Sequence, residues 1–296
     1  MRMIFIFIDG FGIGEKDPEK NPCCIADMRH FEYLMDRYGL ICADATLGVE
    51  GLPQSATGQT TLYTGVNASK AIGKHWSARP THELEQIIME DNLFLRLKRH
   101  GRTVTFANVY SAEYLEKMKT ESRGIFRPSV TSLLCLSSDT PFRVLEDYMA
   151  KRGVFHDITG RMLIENGYDV PLRTPEEAAK ILYGISRDFD LTLFEFFMTD
   201  IQGHSGDREK AVYELELLNR MLGRLIQLVD LREDVILITS DHGNIEDLSV
   251  KTHTFNPVPV IIAGDAVDRK ALDIRSLTDV MPAILKMFGI TNEKKD

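Results

Sequence analysis

Six short stretches of apolar residues, each five to eight residues long, are the feature that most constrains how this chain folds. They lack polar–apolar alternation, which is typical of strands that are covered on both faces in a parallel sheet. Between them, positions 93–100, 178–185 and 207–229 have the apolar spacing of amphipathic helices. Strands that alternate with helices predict an α/β fold with a mainly parallel sheet. The predicted strands are residues 3–8, 103–107, 132–136, 191–198, 235–239 and 259–263.

Length and charge narrow the classes of protein to which the chain can belong. Its 296 residues suit one large domain with a small insertion, which we place at about residues 110–172 as a cap. The net charge of -9 disfavours nucleic-acid and membrane partners, because both select basic surfaces. The N-terminal apolar run is too short for a signal peptide or a membrane span, so we expect a cytoplasmic protein. The sequence sets no oligomeric state.

Acidic residues follow three of the predicted strands: Asp9, Asp200 and Asp241. Ligands of parallel α/β sheets bind outside the carboxyl ends of the strands, and three carboxylates there would repel one another unless a cation lay between them. Histidines accompany these residues, namely His204, His242 and His253. Mixed Asp and His ligands favour Zn²⁺ or Mn²⁺ over Ca²⁺. Six such ligands are enough for two divalent ions that share one substrate, as in two-metal phosphoryl-transfer sites.

A candidate nucleophile lies in the segment from position 51 to 65. Pro53 and the polar residues after it predict a helix start, so Ser55 would lie where the backbone N–H groups and the helix dipole favour an anion. A serine there could coordinate a metal as an alkoxide and attack phosphorus. Thr57, Thr60 and Thr61 compete for this role, and Ser55 taken alone is equally a residue that caps a helix.

Four motifs point to a known family when they are taken together. The chain contains FIDGFG at 7–12, DIQGHSG at 200–206, TSDHGN at 239–244 and HTFNPVP at 253–259. In this order they resemble the alkaline phosphatase superfamily, in the metalloenzyme branch that includes cofactor-independent phosphoglycerate mutase and phosphopentomutase. The resemblance covers about the first 75 and the last 105 residues. It implies a single alkaline-phosphatase-like domain over residues 1–296, built as a three-layer α/β sandwich with a small inserted cap.

The resemblance also implies a nucleophile and two sets of metal ligands. One ion would be bound by Asp200, His204 and His253. The other would be bound by Asp9, Ser55, Asp241 and His242. In the superfamily the nucleophile lies ten residues before a glycine that follows its helix, and Gly65 therefore selects Ser55. The mutase branch also has a glycine three residues after the nucleophile, where this chain has Gly58.

Departures from the mutase pattern favour hydrolysis. Asp200 follows Ser55 by 145 residues, which leaves little room for the large domain that the mutases carry between these motifs. Gln59 stands where the mutase motif has a histidine. We therefore expect a phosphomonoesterase that uses two Zn²⁺ or Mn²⁺ ions and a small phosphorylated substrate. The alternatives are a phosphomutase, a phosphodiesterase or phosphonate hydrolase, and a binding protein that has kept the fold.

Basic residues after the predicted nucleophile helix are candidates for binding the substrate. They are Lys70, Lys74, His75 and Arg79. Their side chains could reach a phosphate or a leaving group. A solvated basic loop is the competing explanation.

Overall fold

The fold is built around a six-stranded sheet. The computed structural model describes residues 1–121 and 123–291. The strands are β1 (Met3–Ile8), β2 (Ile41–Ala43), β3 (Val104–Phe106), β4 (Leu191–Phe196), β5 (Val235–Thr239) and β6 (Val258–Ala263). Their order across the sheet is β2-β6-β5-β1-β4-β3.

Strand β1 lies inside the sheet and runs parallel to both of its neighbours, β4 and β5. Phe5 is aligned with Leu193 on one side and with Leu237 on the other. Successive side chains of a strand point to opposite faces. The odd-numbered residues of β1 accordingly pack in one apolar core and the even-numbered residues in another. Because both faces are removed from water, the strand is apolar throughout.

The predicted mainly parallel sheet is confirmed, with β6 as the exception. Strands β3, β4, β1 and β5 run parallel, whereas β6 pairs antiparallel with both β5 and β2. Strand β2 was not predicted from the sequence. It has three residues and its middle residue, Cys42, is exposed, so it forms no continuous apolar run.

Helices cover both faces of the sheet and produce three layers. The helices are α1 (Arg29–Tyr38), α2 (Ser55–Thr64), α3 (Ala68–Ile72), α4 (His82–Glu90), α5 (Leu93–Arg99), α6 (Ala112–Thr120), α7 (Val130–Ser137), α8 (Leu145–Met149), α9 (Arg161–Glu165), α10 (Pro175–Ser186), α11 (Met198–Ser205), α12 (Arg208–Leu228) and α13 (Val280–Met287). One core contains side chains of α2, α4, α5, α7 and α13, and the other contains side chains of α1, α10 and α12. Within the described residues, none of the helices combines the length and the apolar character needed to traverse a bilayer.

The three predicted amphipathic helices are present as α5, α10 and α12. Local chemistry fixes where two of them begin. The Thr174 hydroxyl accepts a hydrogen bond from the Glu177 N–H, the Glu177 carboxylate accepts one from the Thr174 N–H, and Pro175 fills the first helical position. At the start of α12, the Asp207 carboxylate accepts a hydrogen bond from the Lys210 N–H.

The predicted strand at residues 132–136 is wrong, because these residues lie in α7. The hydroxyl of Ser129 caps this helix by accepting a hydrogen bond from the Ser132 N–H. Leu133 and Leu134 are buried in the same core as α4 and α5. A short continuous apolar run does not distinguish a buried helix from a buried strand. The serine before the run was the signal for a helix.

The segment predicted as a cap, residues 110–172, has two parts. Helix α7 packs in the main core. By contrast, α8 and α9 contribute to a separate small apolar cluster that consists of Val109, Tyr148, Phe155 and Leu163. This cluster gives part of the segment a core of its own. That the segment acts as a cap stays a prediction.

Candidate metal centre

Three neighbouring strands bring the predicted acidic residues to one edge of the sheet. Asp9 directly follows β1, and Asp241 lies two positions after the end of β5. Strand β4 ends at Phe196, so Asp200 lies in the first turn of α11 rather than directly after the strand. Because β5, β1 and β4 are adjacent and parallel, their carboxyl ends meet at the same edge.

Asp200, His204 and His253 form the first group of candidate ligands. His204 Nε2 lies 3.1 Å from His253 Nε2. Asp200 Oδ1 lies 3.5 Å from His204 Nε2 and 3.4 Å from His253 Nε2. Asp200 and His204 are four residues apart on α11, so their side chains lie on one face of the helix. This is the set that the resemblance implies for one ion.

A second group lies next to Ser55. His242 Nε2 is 3.2 Å from Asp9 Oδ1 and 3.6 Å from Asp241 Oδ2. Ser55 Oγ is 2.9 Å from the same nitrogen. Ligand atoms of Asp200, Asp9 and His242 also lie within 4.8 Å of one another, so Asp200 is shared between the two groups. The structure thus brings all the predicted ligands to one site.

The three histidines share an orientation that leaves one ring nitrogen for a metal. His204 Nδ1 lies 3.0 Å from the carbonyl oxygen of Lys251, and His253 Nδ1 lies 2.7 Å from that of Pro53. His242 Nδ1 lies 3.3 Å from the carbonyl oxygen of the next residue. A carbonyl oxygen only accepts, so in the neutral rings Nδ1 carries the proton and Nε2 presents its lone pair to the cluster. Histidines that bind metals usually have such a partner.

The electrostatics of the cluster favour a positive charge. Burial and the neighbouring Asp241 raise the pKa of Asp9 to about 7. Burial alone would raise the pKa of Asp200, but the neighbouring His253 and the charge of His242 lower it to about 2. Burial alone would lower the pKa of His242, whereas Asp241 and Asp9 raise it to about 10. Either a proton on His242 or a metal ion supplies the charge that these carboxylates require.

The surroundings of one buried oxygen atom show whether a metal ion fits this site. Asp9 Oδ1 is buried and receives no hydrogen bond from the described residues, although it lies 3.2 Å from His242 Nε2. When the His242 proton is on Nδ1, these two atoms present lone pairs to each other, which is unfavourable unless a cation lies between them. The Asp and His donors suit a divalent transition-metal ion. The residues therefore fit the metals that the resemblance implies.

The four hydroxyls that compete as nucleophile differ in their surroundings. Ser55 is the first residue of α2 and lines a cavity that opens beside the site. The side chains of Thr57, Thr60 and Thr61 are fully buried. Each of these three hydroxyls donates a hydrogen bond to a backbone carbonyl three or four residues earlier. This arrangement supports Ser55 as the nucleophile.

Two glycines allow the close backbone contacts of the site. A Cβ at Gly58 would lie 2.7 Å from the carbonyl oxygen of Asp241, so glycine is needed where α2 packs against that loop. Gly10 has a φ of +67°, and a Cβ there would lie 2.8 Å from Asp200 Oδ1. These contacts bring Ser55 and the acidic residues to the same point.

Amide side chains orient the candidate ligands, which the sequence did not reveal. Gln59 Nε2 donates to Asp9 Oδ2 and to Asp241 Oδ2, at 3.1 Å in each case. Asn244 Nδ2 donates to Asp200 Oδ1 at 2.6 Å. Asn244 lies inside a recognised motif and Gln59 lies in the segment of the candidate nucleophile, but the sequence did not show which residues they contact.

Glu246 connects three of the loops that carry candidate ligands. Its Oε2 accepts hydrogen bonds from the N–H groups of Gly12 and Asn244 at 2.9 and 2.8 Å. Its Oε1 accepts from the Thr254 hydroxyl and, at 3.1 Å, from the Asn256 amide. These partners follow β1, follow β5 and precede β6. One buried carboxylate therefore holds the three loops in register.

Glu195 is a second buried carboxyl group that was not predicted. It lies in β4, lines the cavity and accepts a hydrogen bond from the Thr131 hydroxyl at 2.9 Å. Burial and the charge of Asp9 raise the pKa of Glu195 to about 7. It is the single acidic residue in the run LTLFEF, and this interruption was the available signal.

A cavity of about 690 Å³ opens beside Ser55. Asp9 and Gln59 line its floor together with Ser55, and residues between positions 109 and 168 supply much of its remaining wall. Among the described residues that line it, Arg79 is the one cation.

The basic residues predicted to bind substrate separate into two groups. Arg79 lines the cavity. Lys70 and Lys74 are exposed and do not line it. His75 lies within hydrogen-bond distance of the Ser69 hydroxyl and of a backbone carbonyl, which gives it a role in the loop. The geometry therefore supports Arg79 alone as a substrate contact.

Comparison with known proteins supports the motif resemblance. A family model described as the metalloenzyme superfamily matches residues 1–292. The 2,3-bisphosphoglycerate-independent phosphoglycerate mutase of Desulforudis audaxviator is 32% identical to this chain over 130 residues. That match covers 42% of this chain and 26% of the relative, so it spans about a quarter of the mutase's length.

Solved structures share the fold. Leishmania mexicana phosphoglycerate mutase has a TM-score of 0.55 and 14% identity, covering 99% of this chain and 96% of that one. Alkaline phosphatase from the Antarctic bacterium TAB5 has a TM-score of 0.55 and 11% identity, covering 97% and 98%. These likenesses confirm the alkaline-phosphatase-like α/β fold. Because the family model matches almost the whole chain, the chain belongs to the metalloenzyme superfamily.

Proposed function

We propose that this chain is a metal-dependent phosphoryl-transfer enzyme that acts on a small phosphorylated substrate, with Ser55 as its nucleophile. The observation that carries this proposal is the position of Ser55 Oγ, 2.9 Å from His242 Nε2 and at the wall of the cavity. The hydroxyl is thereby next to the candidate ligands and open to a substrate. Its place at the start of α2 also favours an anion through the helix dipole.

The proposed enzyme uses two divalent ions. The first would be held by Asp200, His204 and His253. The second would be held by Asp9, Ser55, Asp241 and His242. Zn²⁺ and Mn²⁺ both accept these ligands. When bound, such ions supply positive charge that stabilises the phosphoryl oxygens and favours the ionised serine hydroxyl.

The first chemical step takes place at Ser55. Its Oγ forms a bond to phosphorus while the ester P–O bond of the substrate breaks, which yields a phosphoserine. The serine proton is released to solvent, and the departing oxygen takes up a proton from water. Gln59 and Asn244 keep the carboxylates of Asp9 and Asp200 in position during this step.

The second step distinguishes the candidate functions. In a phosphomutase, another hydroxyl of the same substrate takes the phosphoryl group from the serine, whereas in a phosphatase water takes it. The curated relatives named as phosphoglycerate mutases favour the first acceptor. We therefore put the phosphomutase before the hydrolase that the sequence alone favoured.

Hydrolysis is the second candidate, and the composition of the cavity favours it. A mutase has to hold the organic part of its substrate while the phosphoryl group is on the enzyme. Arg79, the one cation among the described lining residues, already donates to the Tyr114 hydroxyl and to the Ile125 carbonyl. An acidic organic part would be held weakly, so water would reach the phosphoserine.

We further propose that α6, α8 and α9 form a small cap over the cavity. The separate cluster of Val109, Tyr148, Phe155 and Leu163 supports this assignment, and some residues of the segment line the cavity. The cytoplasmic location stays a prediction.

The proposal is tested by ³¹P NMR on a panel of phosphomonoesters, after chelation and addition of Zn²⁺ or Mn²⁺. Consumption of an ester is expected only in the metal-loaded protein. A positional isomer of the ester identifies a mutase, and inorganic phosphate identifies a hydrolase. Ser55→Ala is expected to lower turnover by at least about a thousandfold, because the covalent step is lost.

Thr57→Val is the matched control, since it removes a buried hydroxyl from the same helix. We expect its turnover to stay close to that of the wild type. A metal-loaded Ser55→Ala protein with wild-type turnover would contradict the assignment of Ser55.

A further inference from the structure

Aromatic rings from distant segments of the chain line the cavity. They are Tyr110, Tyr114, Phe155, His156, Tyr168 and Phe197. Tyr110 and Tyr114 are stacked, with centroids 5.4 Å apart and planes 9° apart. His156 and Phe197 are also stacked, with centroids 4.0 Å apart and planes 26° apart. Rings that already pack against one another offer a surface that needs little rearrangement to receive a flat ligand.

Charge restricts what this surface accepts. Among the described lining residues, Arg79 is the single cation, and it already donates to the Tyr114 hydroxyl and to the Ile125 carbonyl. Glu113 and Glu195 line the cavity as well and belong to neither group of candidate metal ligands. A carboxylate or a second phosphate on the organic group would therefore find no uncommitted cation in this lining. An uncharged group needs no such partner.

His156 adds a neutral ring to the aromatic wall. Its ring lies against Phe155 and Phe197, with centroids 3.9 and 4.0 Å away. Burial lowers the pKa of His156 to about 3, so the ring is neutral at physiological pH. The part of the wall that His156 forms therefore carries no charge.

We propose that the organic part of the substrate carries an uncharged planar aromatic ring that stacks in this cavity while its phosphate lies at Ser55. This inference rests on the proposed phosphoryl-transfer function. The walls supply stacking partners, the lining disfavours additional negative charge, and the volume of about 690 Å³ is within the range of pockets for small organic ligands. A nucleobase and a simple aryl group share this chemistry.

Two matched pairs of esters test the proposal and distinguish the two sources. Adenosine 5′-monophosphate and methyl β-D-ribofuranoside 5-phosphate have the same phosphorylated hydroxyl and the same free hydroxyls, and they differ in the base. Benzyl phosphate and cyclohexylmethyl phosphate have similar size and similar leaving groups and differ in aromaticity. Consumption of each ester by the metal-loaded protein is followed by ³¹P NMR. The first pair reports hydrolysis or transfer, whereas the second pair, which has no other hydroxyl, reports hydrolysis.

We expect the aromatic member of at least one pair to have a kcat/KM about tenfold higher or more, as base stacking on aromatic side chains provides. A preference within the first pair identifies a nucleobase, and one within the second pair identifies an aryl group. Equal kcat/KM within both pairs would overturn the proposal.

Ring-removing variants locate the preference. Tyr114→Leu and Tyr168→Leu each keep apolar bulk and remove a ring, so each is expected to reduce the ratio within the preferred pair to less than about threefold. Tyr33→Leu is the matched control, because Tyr33 is exposed on α1 and does not line the cavity. If both cavity variants kept the wild-type ratio of kcat/KM within the preferred pair, the proposal would also be overturned.

Binding to metal-loaded Ser55→Ala, measured by calorimetry, separates this inference from the proposed function. Suppose that the wild type consumes no ester, but the variant binds adenosine 5′-monophosphate about tenfold more tightly than methyl β-D-ribofuranoside 5-phosphate. The aromatic site then stands and phosphoryl transfer fails. If the wild type instead consumes all four esters and the variant binds both members of each pair equally, phosphoryl transfer stands and the aromatic site fails.

Discussion

The two ends of the cavity are built from different interactions. At the metal end, hydrogen bonds hold polar side chains, as when Gln59 donates to Asp9 and Asn244 donates to Asp200. At the cap end, aromatic rings lie beside a small apolar cluster that includes Phe155. Hydrogen bonds fix distance and direction, whereas apolar packing fixes mainly volume. We infer that the metal end sets the reaction and the cap end selects the substrate.

The two ends also differ in what they need from solution. The carboxylates of Asp9, Asp200 and Asp241 require a positive charge, and burial makes this requirement stronger. The apolar cluster of Val109, Tyr148, Phe155 and Leu163 contains no acidic or basic residue, so it needs no ion from solution. The ends should therefore respond separately to metal, to pH and to substitution.

Removing metal should give the largest predicted effect, a loss of stability that arises at the metal end alone. We expect chelation to lower the unfolding midpoint, because the folded protein binds the ions and the unfolded chain lacks the assembled site. At free metal of 100 to 1,000 times the dissociation constant, the loss in free energy of unfolding is about 3–4 kcal/mol. Thermal unfolding with and without chelator measures it, and the metal content is determined in parallel.

Two variants sharpen this experiment. Asp200→Asn alters the residue shared by both groups of candidate ligands, so its midpoint should respond much less to chelation. Leu163→Ala should lower the midpoint by loss of apolar packing but leave the response to chelator as in the wild type. Equal chelator responses of the wild type and Asp200→Asn would contradict the shared metal site.

The contact between cap and core should depend on pH through Glu214. Its Oε1 accepts a hydrogen bond at 2.8 Å from Arg161 of α9, while its Oε2 is buried without a partner among the described residues. Burial raises the pKa of Glu214 from 4.5 to about 7, although Arg161 opposes the shift. Between these values the folded protein binds more protons than the unfolded chain, so this group adds stability as the pH falls. The change is at most about 3 kcal/mol.

Urea unfolding of the wild type and of Glu214→Gln at pH 8 and pH 5 measures this effect. Chelator is present in every sample, so that metal binding does not contribute. Glutamine does not titrate, so the free energy of unfolding of the wild type minus that of the variant should be larger at pH 5 than at pH 8, which means that the wild type gains stability as the pH falls. The same difference at both values would show that Glu214 keeps an ordinary pKa.

From the sequence, the residues of the metal end could be predicted better than those of the cap end, for a physical reason. Asp9 and Asp241 were placed correctly because a strand ending in an acidic residue is a local pattern, and parallel neighbours bring such ends together. The rings of Tyr110, Phe155 and Phe197 meet through tertiary packing between distant segments, which no local pattern records.

The errors have the same origin. Whether residues 132–136 form a helix or a strand depended on the core around them. Likewise, Arg79 and its basic neighbours looked alike in sequence, and only the fold showed which of them reaches the cavity. Local chemistry was therefore predictable, whereas contacts between distant segments were not.

The smallest predicted effect concerns Glu246, which belongs to the metal end but binds no proposed metal. Its two oxygens accept from four donors on three loops, and a glutamine has one acceptor oxygen, so Glu246→Gln turns an NH₂ group towards at least one donor. We expect metal affinity or turnover to fall by about 10- to 100-fold, as for other residues that orient ligands. Titration with Zn²⁺ and Mn²⁺ measures the metal affinity, and ester consumption measures the turnover.

Glu233→Gln, at an exposed position, is the control and should change neither quantity. If Glu246→Gln kept wild-type metal affinity and turnover, the loops would be held by their own packing, and the metal end would resemble the cap end more closely than the hydrogen bonds indicate.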